Sequence, residues 1–99
     1  MSDDTGKKQV REAAALKYNA DTDDAPYVVA LGRGVTAERM VEEAEEHDVQ
    51  VVQDKKLAHV LNELSVGDEI PEDLYVVVAE ILVFVSNMDN EKKAQFTQP

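Results

Sequence analysis

The sequence has 99 residues, 43% of them apolar, and its 21 acidic and 10 basic side chains give a formal net charge of −11. This length allows one domain of modest stability and excludes two. The negative charge disfavours nucleic acid and anionic lipid as partners; it keeps a small protein in solution, or suits a basic protein partner. The absence of cysteine excludes disulfides and thiolate chemistry and fits a reducing compartment.

The first part of the chain predicts a polar arm followed by two strands. Residues 1–11 show no periodicity and predict a disordered arm, too polar and acidic for a signal peptide. Residues 13–18 predict a short strand, and the Asn- and Asp-rich stretch after them is typical of a turn. Residues 27–31 form an apolar run with β-branched side chains, which predicts a buried strand.

A first amphipathic helix is predicted after Gly34, with Thr36 as its N-cap. Its apolar face recurs at helical spacing, and the opposite face is rich in glutamate. The predicted apolar face consists of Ala37, Met40, Val41 and Ala44. A strand at 49–52 follows, so the strand–helix–strand unit predicts a parallel pair with a right-handed crossover.

Two further helices are predicted in the second half. Asp54 is the expected cap of a helix whose apolar positions are Leu57, Val60, Leu61 and Leu64. Pro71 is expected to begin a helix that runs to about residue 88.

The segment from 74 to 85 is the most apolar of the chain and is interrupted only by Glu80. It is too short to cross a bilayer, which takes about 20 apolar residues. A helix that is apolar all round is buried or presents one face to a partner.

Residues 89–99 predict a flexible tail. Together the elements predict an α/β fold: a small mixed sheet of three to four strands packed by three helices, in one domain spanning 12–88.

The sequence offers no support for catalysis. His47 and His59 have no second ligand at metal-binding spacing, and Ser65 and Ser86 lie outside any nucleophile motif. The stretch 32–34, Gly-Arg-Gly, stands where a phosphate-binding turn would lie, but the rest of a dinucleotide or Walker pattern is missing. A tight turn is therefore favoured over a phosphate-binding enzyme. The sequence predicts no catalytic residue, no metal and no cofactor.

Five segments, taken in order, carry a resemblance to one family. They read AALKY at 14–18, APYVVA at 25–30, LAHVL at 57–61, VGDEIPEDLY at 66–75 and AEIL at 79–82. This ordered set resembles the C-terminal cytoplasmic domain of the flagellar export-switch protein FlhB and its type III secretion relatives. The resemblance covers residues 13–88 and implies a domain of protein export.

Two departures from the family bear on function. The family carries a self-cleaving Asn-Pro-Thr-His tetrapeptide, and the matching positions here are Lys8, Gln9, Val10 and Arg11. The resemblance thus implies no self-cleavage. The membrane part that precedes the family's domain is also absent from this sequence, so the chain is expected to resemble the fragment released by cleavage. Residues 1–7 are too polar to form the strand that precedes the cleavage point, which predicts an open sheet position beside 13–18 for a strand of a membrane-borne partner.

The resemblance also implies a substrate-recognition patch. Its positions match Ala25, Pro26, Ala79 and Leu82, although Ala79 and Leu82 also fit an ordinary core. The implied function is that of a non-catalytic adaptor in the flagellar or type III export apparatus. It would lie in the cytoplasm, peripheral to the membrane, and bind export substrates and membrane export-gate proteins, without membrane insertion or nucleic acid. The alternative is a free-standing regulatory or protein-binding module without an export partner.

Overall fold

The computed structural model describes residues 11–19, 21–47, 49–84 and 91–97, with the backbone alone for 81–84 and 91–92. Within them the chain forms four strands and three helices, and a 3-10 turn at Glu72–Leu74 leads into the last helix. The elements are β1 (Glu12–Asn19), β2 (Tyr27–Arg33), α1 (Val35–Glu46), β3 (Gln50–Gln53), α2 (Lys55–Leu61), α3 (Tyr75–Phe84) and β4 (Glu91–Thr97). The predicted fold class, a small mixed sheet of up to four strands with three helices, is confirmed.

The four strands form one sheet in the order β2-β1-β4-β3. β1 is antiparallel to β2 and to β4, whereas β4 runs parallel to β3. Ala15 lies opposite Ala30 but Leu16 lies opposite Val28, so a bulge interrupts the β1–β2 register at this point. The two central strands, β1 and β4, therefore hold the sheet together.

The predicted parallel pair of β2 and β3 is wrong. Both strands run in the same direction, but β1 and β4 lie between them. A strand–helix–strand pattern fixes the relative direction of two strands more firmly than their adjacency, since other strands of the chain can pair between them.

The predicted flexible tail at 89–99 is replaced by a strand over most of its length. Residues 91–97 form β4, which pairs with β1 on one side and with β3 on the other. The expected open position beside β1 is consequently filled by the chain itself, and that prediction is wrong. Backbone pairing on both sides orders a segment that is too polar to be recognised as a central strand from composition.

The core lies on the face of the sheet that α2 and α3 cover. Ala94 and Phe96 of β4 are buried there against Leu16 of β1, Leu61 of α2 and Val78 of α3. α1 packs on the opposite face. In the amide orientation in which both polar atoms of the Gln95 side chain have hydrogen-bond partners, its nitrogen donates to the Met40 carbonyl oxygen at 3.0 Å. Successive side chains of β4 thus point to the two covered faces in turn.

Of the two N-caps predicted from the sequence, one is found in the structure. Asp54 caps α2, because its Oδ1 accepts a hydrogen bond from the Leu57 N–H at 3.0 Å. In α1 the N-cap position is occupied by Gly34, with a φ of 61°, and not by Thr36. The helix begins at Val35, so Thr36 lies inside it. In α2 the buried residues are Leu57, Ala58 and Leu61, while Val60, predicted on the apolar face, is exposed.

Candidate functional site

The outer surface of α3 is the most prominent apolar feature of the described structure. Val78 is fully buried in the core, and Leu74, in the preceding 3-10 turn, is half-buried against it. The neighbouring positions point outward: Val76 is 71% exposed, Val77 45% and Tyr75 39%, and Ala79 is exposed as well. We call Tyr75, Val76, Val77 and Ala79 the α3 face. Grouped apolar side chains that remain accessible mark interaction sites on small proteins.

The physical origin of this face is the composition of α3 together with the size of the domain. Glu80 is the one charged residue from Tyr75 to Phe84, so the helix has no polar side to turn outward. A helix resting on a sheet buries only one stripe, and in a domain of 99 residues little else is available to cover the rest. The sequence indicated that this helix has more apolar surface than a small core can bury, but it did not show which residues would remain exposed.

The segment before α3 connects it to the start of β2. The Val28 N–H donates to the Asp68 carbonyl oxygen at 2.9 Å, and the Ile70 N–H donates to the Pro26 carbonyl oxygen at 3.0 Å. Ile70 is buried in the same core cluster as Val28 and Val78. The beginning of β2 and the body of α3 are therefore held in one fixed arrangement.

The structure places the four patch positions in different environments. Ala25 is 2% exposed and offers almost no surface of its own, whereas Pro26 is half-buried and Ala79 is exposed on α3. Leu82 lies in α3, one turn after Val78, in the part described by its backbone. Of these positions Ala79 belongs to the accessible α3 face.

Of the degenerate cleavage positions, the structure describes Arg11, which directly precedes β1. Lys8, Gln9 and Val10 are outside the described residues. The Arg11 carbonyl oxygen accepts from the Gly34 N–H at 2.8 Å, and its Nε lies 4.0 Å from Glu38 Oε2, with both side chains half-exposed. Arg11 is thus anchored by its backbone next to the first turn of α1.

The side chain of Glu12, at the start of β1, is a buried carboxylate that the sequence did not predict. The Glu12 side chain is 8% exposed; its Oε1 lies 2.8 Å from His59 Nδ1 and its Oε2 lies 3.1 Å from Arg33 Nε. The contact with Arg33 is an ion pair without the angles of a hydrogen bond. Glu12 and His59 are 47 residues apart, so no local pattern could have linked them. Arg33 and His59 are both more than half exposed, and the group fastens α2 and β2 to β1.

The glycines at 32 and 34 have structural explanations. A Cβ on Gly32 would lie 2.7 Å from Met40 Sδ and 2.8 Å from Thr36 Cγ2, so glycine allows α1 to approach the sheet. Gly34 has a positive φ and precedes α1. Arg33 between them pairs with Glu12. Gly34 thus forms the turn expected from the sequence, whereas Gly32 lies inside β2 and allows close packing instead.

Metal-ligand clusters and membrane-spanning helices are both missing among the described residues. No three of their His, Cys, Asp and Glu side chains are grouped as metal ligands, and none of their helices has the length and apolar character to span a bilayer. A shallow, open depression lies at the free side of β3, lined by Glu45, Val49, Gln50 and Val51.

The structure is thus a small α/β domain with an exposed apolar face on α3. Residues 10–85 match the model of the FlhB HrpN YscU SpaS family. The chain belongs to this family, so it is a domain related to the flagellar and type III export switch, as the sequence resemblance predicted.

Individual relatives agree with that assignment. The chain is 39% identical to the uncharacterized protein YlqH of Bacillus subtilis over 84 residues, which cover 85% of this chain and 90% of YlqH. It is 46% identical to the flagellar biosynthetic protein FlhB of Aquifex aeolicus over 74 residues, 74% of this chain but 21% of that protein. The chain thus spans nearly all of one relative and about a fifth of the other.

A solved structure supports the fold. A mutated EscU C-terminal domain superimposes with a TM-score of 0.75 at 28% identity, covering 79% of this chain and 95% of that one. The fold of this chain therefore matches that of the EscU C-terminal domain.

Proposed function

We propose that this chain is a non-catalytic binding component of the bacterial flagellar or type III export apparatus, and that it binds export substrates or membrane export-gate proteins through its α3 face. Family membership supports the setting, since the relatives include flagellar biosynthetic proteins. The exposed α3 face, with Val76 at 71% exposure, is the observation that carries the binding role. The proposal includes a place in the cytoplasm at the membrane export apparatus.

The physical argument rests on the balance between burial and exposure along α3. Val78 anchors the helix in the core, so the helix is held in place without the outward side chains. Tyr75, Val76 and Val77 then keep apolar surface in water, which is unfavourable in the isolated chain and is relieved when a partner covers it. A helix anchored on one side and apolar on the other suits the capture of an apolar segment of another protein.

The absence of the cleavage tetrapeptide is consistent with a binding role. Positions 8–11 hold Lys, Gln, Val and Arg, so the chain has neither the Asn nucleophile nor the Pro leaving group of the family's motif. The proposal accordingly assigns no catalytic residue, cofactor or metal. It assigns Ala79 and Pro26 to the contact surface and gives Ala25, which is buried, a supporting place under it.

The test compares two valine-to-aspartate variants in a direct binding measurement. Val76→Asp lies on the α3 face, and Val35→Asp lies at the start of α1 with a similar exposure of 65%. Both add one negative charge to an exposed valine, so their effects on folding and net charge are matched. We expect Val76→Asp to weaken binding of a purified export substrate or gate domain at least about tenfold and Val35→Asp to leave it unchanged.

Equal binding by both variants would exclude the α3 face as the contact site. A chain that binds neither export substrates nor gate domains from its own source organism would exclude the export role and favour a free-standing regulatory module. Circular dichroism of both variants confirms that the fold is intact.

A further inference from the structure

The two outer strands of the sheet differ in how their outer sides are covered. β2 is bordered by the segment before α3: the Val28 N–H donates to the Asp68 carbonyl oxygen at 2.9 Å, and the Val28 carbonyl oxygen accepts from the Gly67 N–H at 2.8 Å. β3 pairs with β4 on one side, and no other described strand pairs with it. Among the described strands, β3 therefore provides the uncovered edge of the sheet.

The direction of the β3 backbone groups follows from one hydrogen bond. The Asp54 N–H, directly after β3, donates to the Thr97 carbonyl oxygen of β4 at 3.0 Å. The backbone polar groups of successive strand residues point to alternate sides, so those of Val52 also face β4. The N–H and carbonyl groups of Val51 and Gln53 then face the free side, where no other described residue forms a hydrogen bond with them.

β3 lacks the features that protect exposed edges from strand addition. Its sequence, QVVQ, contains no lysine and no proline, and its register with β4 runs without a bulge. Edge strands of natural proteins use such features to prevent pairing with other chains. β3 has four residues, so an added strand would pair with two outward-facing positions and would need side-chain contacts as well.

The side chains at this edge determine which kind of strand fits. A shallow depression there is lined by Glu45, Val49, Gln50 and Val51. Val52 packs against the core cluster, so Val51 and Val49 lie on the other face of the sheet, which α1 covers. Both valines are half-buried and can contact an apolar side chain, whereas Glu45 is exposed and can pair with a basic one.

The charge around β3 is negative at one end of the strand. α1, which ends shortly before β3, carries five glutamates and one arginine, whereas α2 begins after β3 with Lys55 and Lys56. A basic side chain of an added strand is therefore favoured at the Gln50 end, next to Glu45. The net charge of −11 attracts a basic segment over longer distances as well.

We infer that the free edge of β3 binds an extended, basic segment of another protein as a fifth strand of the sheet. One apolar side chain of the segment contacts Val49 and Val51, and a basic side chain two residues away pairs with Glu45. Main-chain hydrogen bonds and alternate side chains are the usual sources of affinity and specificity in strand addition. This surface shares no residue with the α3 face, so the inference goes beyond the proposed function and does not depend on it.

The test uses the unaltered chain and a short synthetic peptide in which threonine alternates with lysine and valine in turn. We expect the peptide to slow amide hydrogen exchange at Val51 and Gln53, measured by nuclear magnetic resonance. Exchange at Val28, whose N–H is already bonded to Asp68 at the opposite edge, should stay unchanged. A control peptide with glutamate in place of lysine should bind at least about tenfold more weakly.

Two pairs of variants separate the backbone contribution from the charge. Val51→Pro removes an outward N–H at a position where an edge strand tolerates proline, and Val51→Thr keeps the N–H and the β-branched shape. We expect the proline variant to bind the peptide about tenfold more weakly than the threonine variant. Glu45→Gln should weaken binding about threefold relative to Glu69→Gln, which alters an exposed glutamate beside β2, at the opposite edge.

Three results would overturn the inference. The first is a lysine peptide that fails to bind, or that binds without slowing exchange at Val51 and Gln53, since attraction of charge alone then explains any binding. The second is equal binding of the lysine and glutamate peptides. The third is equal binding by folded Val51→Pro and Val51→Thr. If Val51→Pro does not fold, the exchange measurement on the unaltered chain still decides between pairing and simple attraction.

Discussion

α3 and β4 follow one another along the chain and show opposite relations between composition and burial. α3 is almost wholly apolar, yet Val78 is the fully buried residue among the six whose side chains are described there. β4 reads EKKAQFT, and it lies between two other strands with residues 94–97 buried. Position in the sheet determines burial in β4, whereas in α3 the limited area of a small core leaves apolar side chains outside.

This difference shows how each segment is held. β4 is held by backbone hydrogen bonds on both sides and by two apolar side chains, Ala94 and Phe96, that enter the core. Among the side chains described in α3, Val78 is the one that is fully buried in the core, with the half-buried Leu74 just before the helix. Substitutions should consequently have large effects at the buried positions of β4 and small effects at the exposed positions of α3 from Tyr75 to Glu80.

The sharpest contrast is between truncations at Phe96 and Val76. Phe96 is fully buried and is the largest of the buried side chains, so Phe96→Ala removes most of a core side chain and leaves a cavity. We expect a loss of about 3–5 kcal/mol in the free energy of unfolding, measured by urea denaturation, against less than about 0.5 kcal/mol for Val76→Ala. Similar midpoints for the two variants would mean that β4 does not contribute to the core.

Adding side-chain atoms, where the previous substitutions removed them, also compares a tightly packed position with an exposed position of α3. A Cβ on Gly32 would lie 3.2 Å from the Ala37 backbone nitrogen and still closer to the Met40 and Thr36 side chains. Gly32→Ala should lower the free energy of unfolding by about 1–3 kcal/mol, and Ala79→Val on the exposed α3 face should leave it almost unchanged. Met40→Ala in the Gly32→Ala background should restore part of the loss, and no restoration would indicate that backbone contacts dominate.

The starts of α2 and α3 differ in a comparable way. Asp54 accepts a hydrogen bond from the Leu57 N–H, whereas α3 is entered from Pro71 through a 3-10 turn without a side-chain cap. Asp54→Ala should therefore cost about 1 kcal/mol in thermal or urea unfolding. Glu72→Ala, in the first turn of the entry to α3, should cost less than about 0.5 kcal/mol. A larger effect at Glu72 would show that α3 depends on its entry more than its burial suggests.

The smallest expected effect concerns the charges at the start of β1. A double-mutant cycle with Glu12→Gln and His59→Ala should give a coupling of about 0.5–1 kcal/mol, because the carboxylate is buried while its partner is mostly exposed. The corresponding cycle for Arg11 and Glu38, half-exposed and 4.0 Å apart, should give a coupling near zero. Equal couplings would mean that burial of Glu12 adds nothing to the pair.

Local patterns predicted the parts of the fold that depend on neighbouring residues. Apolar spacing located α1 and α2, and an Asp before an apolar run located the cap at Asp54. β1 and β2 follow from short apolar runs separated by turn residues. The family resemblance predicted the class of protein, which the family model confirms.

The features that were missed depend on contacts between distant residues. β4 has two apolar residues that enter the core, so its polar sequence gives no sign that it pairs with β1 and β3. The β2–β3 pair was predicted from the local strand–helix–strand pattern, but β1 pairs with β2 and β4, from the end of the described chain, pairs with β3. Val60 was assigned to the buried face, but Ala58 takes that place because α2 lies close to the alanine-rich β1. Glu12 and His59 meet through the tertiary structure alone.

The position of β4 also has a consequence for the order of events on the ribosome. β1 is made first among the strands, but it gains its second neighbour when residues 91–97 have been synthesised. β3 must wait equally long for its partner, since it joins the sheet through β4. At about 5–20 residues per second, translation from residue 19 to residue 91 leaves an edge of β1 uncovered for several seconds. The side of β1 that β4 later covers is therefore exposed to strand addition during synthesis, and the four-stranded sheet is completed in one late step.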